Sequence, residues 1–173
     1  MAIINEYAFR VRINPPPPKN THVAVDFSPF PLRQSGFNLP VEVSTASMHS
    51  SPPLNMPLFS TVVLAHFDTG AGVTSIDIEL AKHLNLSTTG QSEVRTAAGR
   101  QIMPNFAVDI SFSNTKLSPF HNLRISSCRL GFDLANNMNT SKPQNIGILI
   151  GRDIMSCWNI VWNGPTSTVI ISD

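Results

Sequence analysis

Val62-Val63-Leu64-Ala65-His66-Phe67 is an apolar, β-branched run that stops abruptly at Asp68-Thr69-Gly70-Ala71-Gly72. Such a run reads as a buried strand. A carboxylate at the end of a buried strand is costly unless something compensates for it, so Asp68 either caps the next element or does chemistry. Asp-Thr-Gly alone does not decide, because average composition yields one in roughly one chain in twenty-five of this length. Context narrows the choice. A second apolar run, Ile146-Gly147-Ile148-Leu149-Ile150, ends in Gly151-Arg152-Asp153 and leads into a short amphipathic stretch from Ile154 to Trp158.

The rest of the chain bounds what these two runs can belong to. With 173 residues, one domain plus a tail is expected, long enough to bury a core. A net charge of +1 with 13% charged residues supplies no basic patch, which argues against nucleic acid and against an anionic membrane surface. Fourteen prolines among many Ser, Thr and Asn point to short strands and irregular loops, an all-β pattern. Cys128 and Cys157 are expected as free thiols, with no disulfide framework around them. The first residues, Met1 to Glu6, lack the basic start and apolar block of a signal peptide, and no apolar stretch spans a bilayer. A soluble, intracellular, cytoplasmic protein is the expectation.

Taken in order, Phe9, Val11 and Ile13 alternate with arginines as in a half-exposed strand, and Pro15 to Pro18 form a stiff extended spacer. Val23, Val25 and Phe27 alternate again. Residues 38–46 and 58–67 read as two strands joined by a polar, proline-containing loop. Ser75 or Asp77 is placed to cap a helix through Ile78, Leu80, Ala81 and Leu84, with Asn85 as its stop and His83 on its wet face. Residues 93–102 read as a strand, a tight turn and a returning strand, with Gly99 free to take positive φ at the tip. Residues 107–112 and 123–130 read as further strands, 133–145 as a loop, and 159–162 with 167–171 as a C-terminal pair. Pro165 has no N–H to close a two-residue turn after Asn163-Gly164, so a wider loop is expected there.

Phe67-Asp68-Thr69-Gly70-Ala71, followed by Thr74 and Ile76, and then Ile148-Leu149-Ile150-Gly151-Arg152-Asp153-Ile154, together resemble the retropepsin-like aspartic proteases, the single-lobe, retroviral-type branch of the pepsin clan. The resemblance covers residues 38–173 and leaves 1–37 as an N-terminal extension with its proline spacer. It implies an all-β, single-lobe closed β-barrel or sandwich with one or two short helices, active as a homodimer on a peptide or protein substrate. Asp68, Thr69 and Gly70 would form the catalytic loop, Thr69 bonding across the dyad and Gly70 leaving room for substrate backbone. Ala71, Gly72 and the hairpin tip Ala97, Ala98 and Gly99 would contact substrate, the hairpin acting as a flap; an ordinary surface hairpin has the same sequence signature. No cofactor and no metal is implied. One position departs from the pattern: family members often carry an acid two positions after the glycine, paired with the arginine of Gly-Arg. Here that position is Gly72, so Arg152 needs another partner, Asp153 or a carbonyl.

Competing chemistry lacks its residues. Gly70-Ala71-Gly72-Val73-Thr74-Ser75 has a serine where a dinucleotide fingerprint needs its third glycine, and no βα alternation follows. His-Glu-x-x-His, Cys-x-x-Cys and Gly-x-Ser-x-Gly are missing from the sequence. His66 neighbours Asp68 but is expected to face outward or to pack. A peptide-bond hydrolase built on carboxylates needs two of them sharing a proton, and this chain holds one Asp-Thr-Gly. The second must then come from another copy. The alternative is a non-catalytic member that uses the same fold to bind peptide or protein.

Overall fold

Alternation with period two is what sends Phe37, Leu39, Val41 and Val43 to one face of a strand, and these four are buried while their neighbours are not. The computed structural model describes residues 23–26, 36–46, 59–96, 99–112, 115–135, 145–163 and 168–173, with the backbone alone for 23–26 and 96. The proline spacer, the loop around 48–57, most of 133–145, and Ala97 and Ala98 lie outside the described residues.

Ten strands and two short helices are described: β1 (Val23–Asp26), β2 (Phe37–Thr45), β3 (Ser60–Phe67), β4 (Ser75–Asp77), α1 (Ile78–His83), β5 (Thr88–Thr96), β6 (Gly99–Ser111), β7 (Phe120–Cys128), β8 (Ile146–Ile150), α2 (Arg152–Met155), β9 (Asn159–Asn163) and β10 (Thr168–Ser172). Pairing runs β2-β3-β8-β4-β7-β6, and β6 pairs back onto β2 through Val43 and Ile110, which closes a six-stranded barrel. β5 continues from β6 outside the ring. The all-β expectation and the short helices are met at this level.

Inside the barrel lie Val41, Val43, Val63, Ala65, Ile76, Val108, Ile110, Ile125, Ile148 and Ile150, each at most 2% exposed. Burying a side chain of this size contributes about 1.5–3 kcal/mol, and their convergence from six strands explains why strands this short hold. One end is sealed by aromatic rings: Phe37 against Phe67 at 4.2 Å, and Trp158 against Phe112 at 5.1 Å and Phe120 at 5.7 Å. Among the described residues no helix is long and apolar enough to cross a membrane.

Three details differ from the sequence reading. Residues 99–111 are one continuous strand rather than two. Pro104 does not break it, because pairing with β7 begins only at Asn105 and the strand has β5 alone beside it at the proline. β4 was not expected at all; three residues are too few to show a period, and all three are buried because β4 lies between β7 and β8. The helix after Gly151 covers Arg152–Met155 rather than Ile154 to Trp158.

The chain ends form a separate three-stranded sheet in the order β1-β10-β9. Four residues separate the paired Asn163 and Thr168, so the connection is wider than a two-residue turn. β10 is the central strand, with Val169 and Ile171 fully buried.

Candidate functional site

β3 and β8 run parallel and finish together, Phe67 opposite Ile150. Both carry apolar residues inward to their last position, so the polar residues that follow are delivered at the same rim of the barrel. The Asp68 N–H extends the ladder by donating to the Ile150 carbonyl at 3.1 Å. The chain then folds over itself: the Gly70 N–H donates to Asp68 Oδ1 at 2.8 Å and the Ala71 N–H to the Asp68 carbonyl at 3.1 Å. The Asp68 carboxylate is therefore oriented by its own loop while remaining only half-buried.

A clamp fixes this loop to the start of α2. Thr74, fully buried, donates from its N–H to Asp153 Oδ2 at 2.9 Å and from its hydroxyl to Asp153 Oδ1 at 2.7 Å. The same hydroxyl accepts from the Gly151 N–H at 3.0 Å. The Arg152 N–H donates to the Ala71 carbonyl at 3.0 Å, and its guanidinium donates from Nη1 to the Thr69 carbonyl at 2.9 Å. Arg152 thus takes a carbonyl partner, and Asp153 is committed elsewhere. Gly151 is sterically required: a Cβ there would lie 2.5 Å from the Val73 carbonyl carbon. A Cβ on Gly72 would lie 3.7 Å from Arg152 Nη2, so the side chain missing from this position would point at the arginine.

Asp68, Gly70, Ala71 and Gly72 line a cleft of about 810 Å³. Its other walls come from Ser92 to Arg95 on β5, Asn105 on β6, and Arg124 to Ser126 and Cys128 on β7. Thr69 is turned the other way. It borders a separate apolar recess of about 450 Å³ shared with Phe37, Phe67, Arg152, Met155, Ile160 and Trp162. The β5–β6 hairpin walls the cleft with Ser92 to Arg95, and Gly99 begins its returning strand. Gly99 takes φ +112° there, and a Cβ on it would meet nothing within 4 Å. The three acids on the cleft are differently engaged: Asp153 in the clamp, Glu93 against Arg100 at 3.3 Å, and Asp68 with one oxygen held by Gly70.

Burial pushes the Cys128 thiol up to about 11, helped by the nearby Asp77 charge and opposed by a hydrogen bond with Ser75. His66 Nδ1 lies 2.8 Å from Asn38 Oδ1, on the strand face opposite Phe67, and His83 is exposed. Gly70 to Ser75 leads into β4 rather than directly into a helix, unlike a dinucleotide-binding turn. Among the described residues no group of three or more His, Cys, Asp or Glu is arranged to hold a metal ion.

The clamp role of Asp153 and the cleft positions of Ser92, Asn105, Arg124 and Ser126 were not read from the sequence. Thr74 was singled out only within a pattern, and no local signal ties it to a residue 79 positions away. No family model matches the chain, and no curated protein matches it closely enough to identify a relative.

Proposed function

We propose that this chain is an aspartic endopeptidase of the retropepsin-like kind, acting as a homodimer in which each subunit contributes Asp68. The observation that carries the reading is the Asp68 carboxylate, aimed by the Gly70 N–H at the rim of a cleft large enough for extended peptide. Of the acids on that cleft, it is the one committed neither to the clamp nor to an ion pair.

Hydrolysis of a peptide bond needs a base to take a proton from water and an acid to polarise the carbonyl. Two Asp68 carboxylates about 3 Å apart share one proton, since both cannot ionise at that distance, and so supply both groups. The ionised one accepts the water proton while the protonated one donates to the carbonyl oxygen. The tetrahedral adduct collapses as a proton passes to the departing amine, and the pair returns to its singly protonated state.

The apolar recess beside Thr69 supports the dimer. Trp162 stands 49% exposed on its wall, an apolar surface beside the Asp68-Thr69-Gly70 loop that a second copy would cover. The test is Asp68→Asn. Peptidase activity at mildly acid pH is expected to disappear while the fold and the dimer persist. A wild-type chain that binds peptide and hydrolyses none, as a dimer, would instead make the protein a peptide-binding module.

A further inference from the structure

Among the apolar residues that line much of the cleft, β6, β7 and the segment after β7 add a polar strip with arginines beside it. Asn105 and Ser126 are paired neighbours on β6 and β7, 3% and 7% exposed, and both line the cleft. Asn105 Oδ1 and Ser126 Oγ are buried with no hydrogen-bond partner, although Asn105 Nδ2 donates to Ser92 Oγ at 2.7 Å. Leaving such groups unpaired is expensive, of the order of 1–3 kcal/mol each, so a polar occupant toward which Asn105 and Ser126 turned would be favoured here.

Charge specifies which one. Arg95, Arg124 and Arg129 all line the cleft, and none makes an ion pair with the described residues. None of the cleft's three acids is paired with these arginines: Glu93 is held by Arg100, Asp153 by Thr74, and Asp68 by the Gly70 N–H. Arg124 is moreover seated: its Nη2 lies where a Cβ on Gly90 would be 2.8 Å away, so the absence of a side chain at Gly90 lets the guanidinium lie across β5. A carboxylate is the group that guanidinium forks and a hydroxyl donor satisfy together. With the Asn105 amide turned so that its oxygen accepts from Ser92, its nitrogen becomes a further donor.

We infer that the cleft selects peptides carrying a glutamate or aspartate side chain, received by Arg124 and Arg129 over the Asn105–Ser126 floor. This rests on the proposal that the cleft holds peptide, but it does not need hydrolysis. The experiment uses the full chain carrying Asp68→Asn and three fluorescent peptide mixtures, identical except for one fixed position occupied by Glu, Gln or Lys. Fluorescence anisotropy is expected to give about tenfold tighter binding for the Glu mixture than for Gln, and weaker binding still for Lys. The Glu-to-Gln ratio should fall toward one in Arg124→Gln/Arg129→Gln, recover in the double lysine variant, and shrink as salt is raised. Both arginines are exposed, so these variants are expected to fold, and circular dichroism checks that they do.

Equal affinity for Glu and Gln, a ratio unmoved by the double substitution, or no binding of any mixture would each overturn the inference. Wild type is then assayed on the same mixtures. A Glu preference in binding without hydrolysis supports the acidic ligand and defeats the peptidase. Hydrolysis with no Glu preference defeats the acidic ligand alone.

Discussion

Thr74 and Asp153 show how much a single hydroxyl can carry: one buried Oγ1 donates to a carboxylate and accepts from the Gly151 N–H. Thr74→Val keeps the shape and removes both bonds, which leaves the buried Gly151 N–H unmatched and Asp153 Oδ1 with the Ile154 N–H alone. A loss of about 2–3 kcal/mol in urea unfolding is expected. Gly72 invites the opposite experiment. Gly72→Asp would place a carboxylate beside Arg152, and it also removes conformational freedom from the unfolded chain. A gain of about 0.5–1 kcal/mol is expected, partly lost in high salt because the position is exposed. At Cys128 the folded state holds its proton up to about 11, above the 9.0 of an unburied thiol. Folding therefore favours the protonated form. The contribution of this thiol to stability is complete below about pH 9 and is lost as pH rises from there through about 11. Alkylation at pH 8 should accordingly modify the exposed Cys157 and spare Cys128, as peptide mass mapping would show.

Helix α1 illustrates what a sequence can and cannot say about an element. Its cap, core-facing leucines and stop at Asn85 are local properties, and they are found as read: Asp77 accepts from the Glu79 N–H at 2.8 Å, Leu80 and Leu84 are buried, and Asn85 turns at φ +50°. The same Asp77 carboxylate also accepts from the Leu130 N–H at 2.6 Å and the Phe132 N–H at 3.3 Å. That tie to the segment after β7 is tertiary, so no spacing announces it. Asp77→Ala should cost about 3 kcal/mol, more than a cap alone, measured by chemical denaturation. Strand pairs with a strong period were likewise legible: β2 with β3, and the hairpin turning before Gly99. β4 and the fusion of 99–111 were not, because pairing on both sides or on one side only decides them. At the candidate site, the Asp68 loop and Gly151 were legible because each ends an apolar run. The arginines, Asn105 and Ser126 were not, because a barrel closure brings them there.

At the scale of the molecule, the apolar C-terminal run Val169-Ile170-Ile171 would offer a second copy a strand to pair with if one of its edges were open. It is instead the middle of β1-β10-β9, hydrogen-bonded on both sides within the chain, since β1 of the N-terminal segment covers one edge. A dimer is then expected to form through the apolar recess at Thr69 and the exposed Trp162, not by docking onto β10. Trp162→Glu should shift the mass in solution toward monomer and reduce peptidase activity in parallel, whereas a substitution on β10 should act through folding. The most direct measurement of the shared dyad is a mixing series. Wild-type and Asp68→Asn chains are combined at fixed total concentration, allowed to exchange subunits, and assayed for peptide hydrolysis. If each site needs one Asp68 from each subunit, rate follows the square of the wild-type fraction, so an equal mixture retains about a quarter of the pure wild-type rate. A rate that falls only in proportion, to about a half, would mean that each chain holds its own complete site and would contradict the dyad.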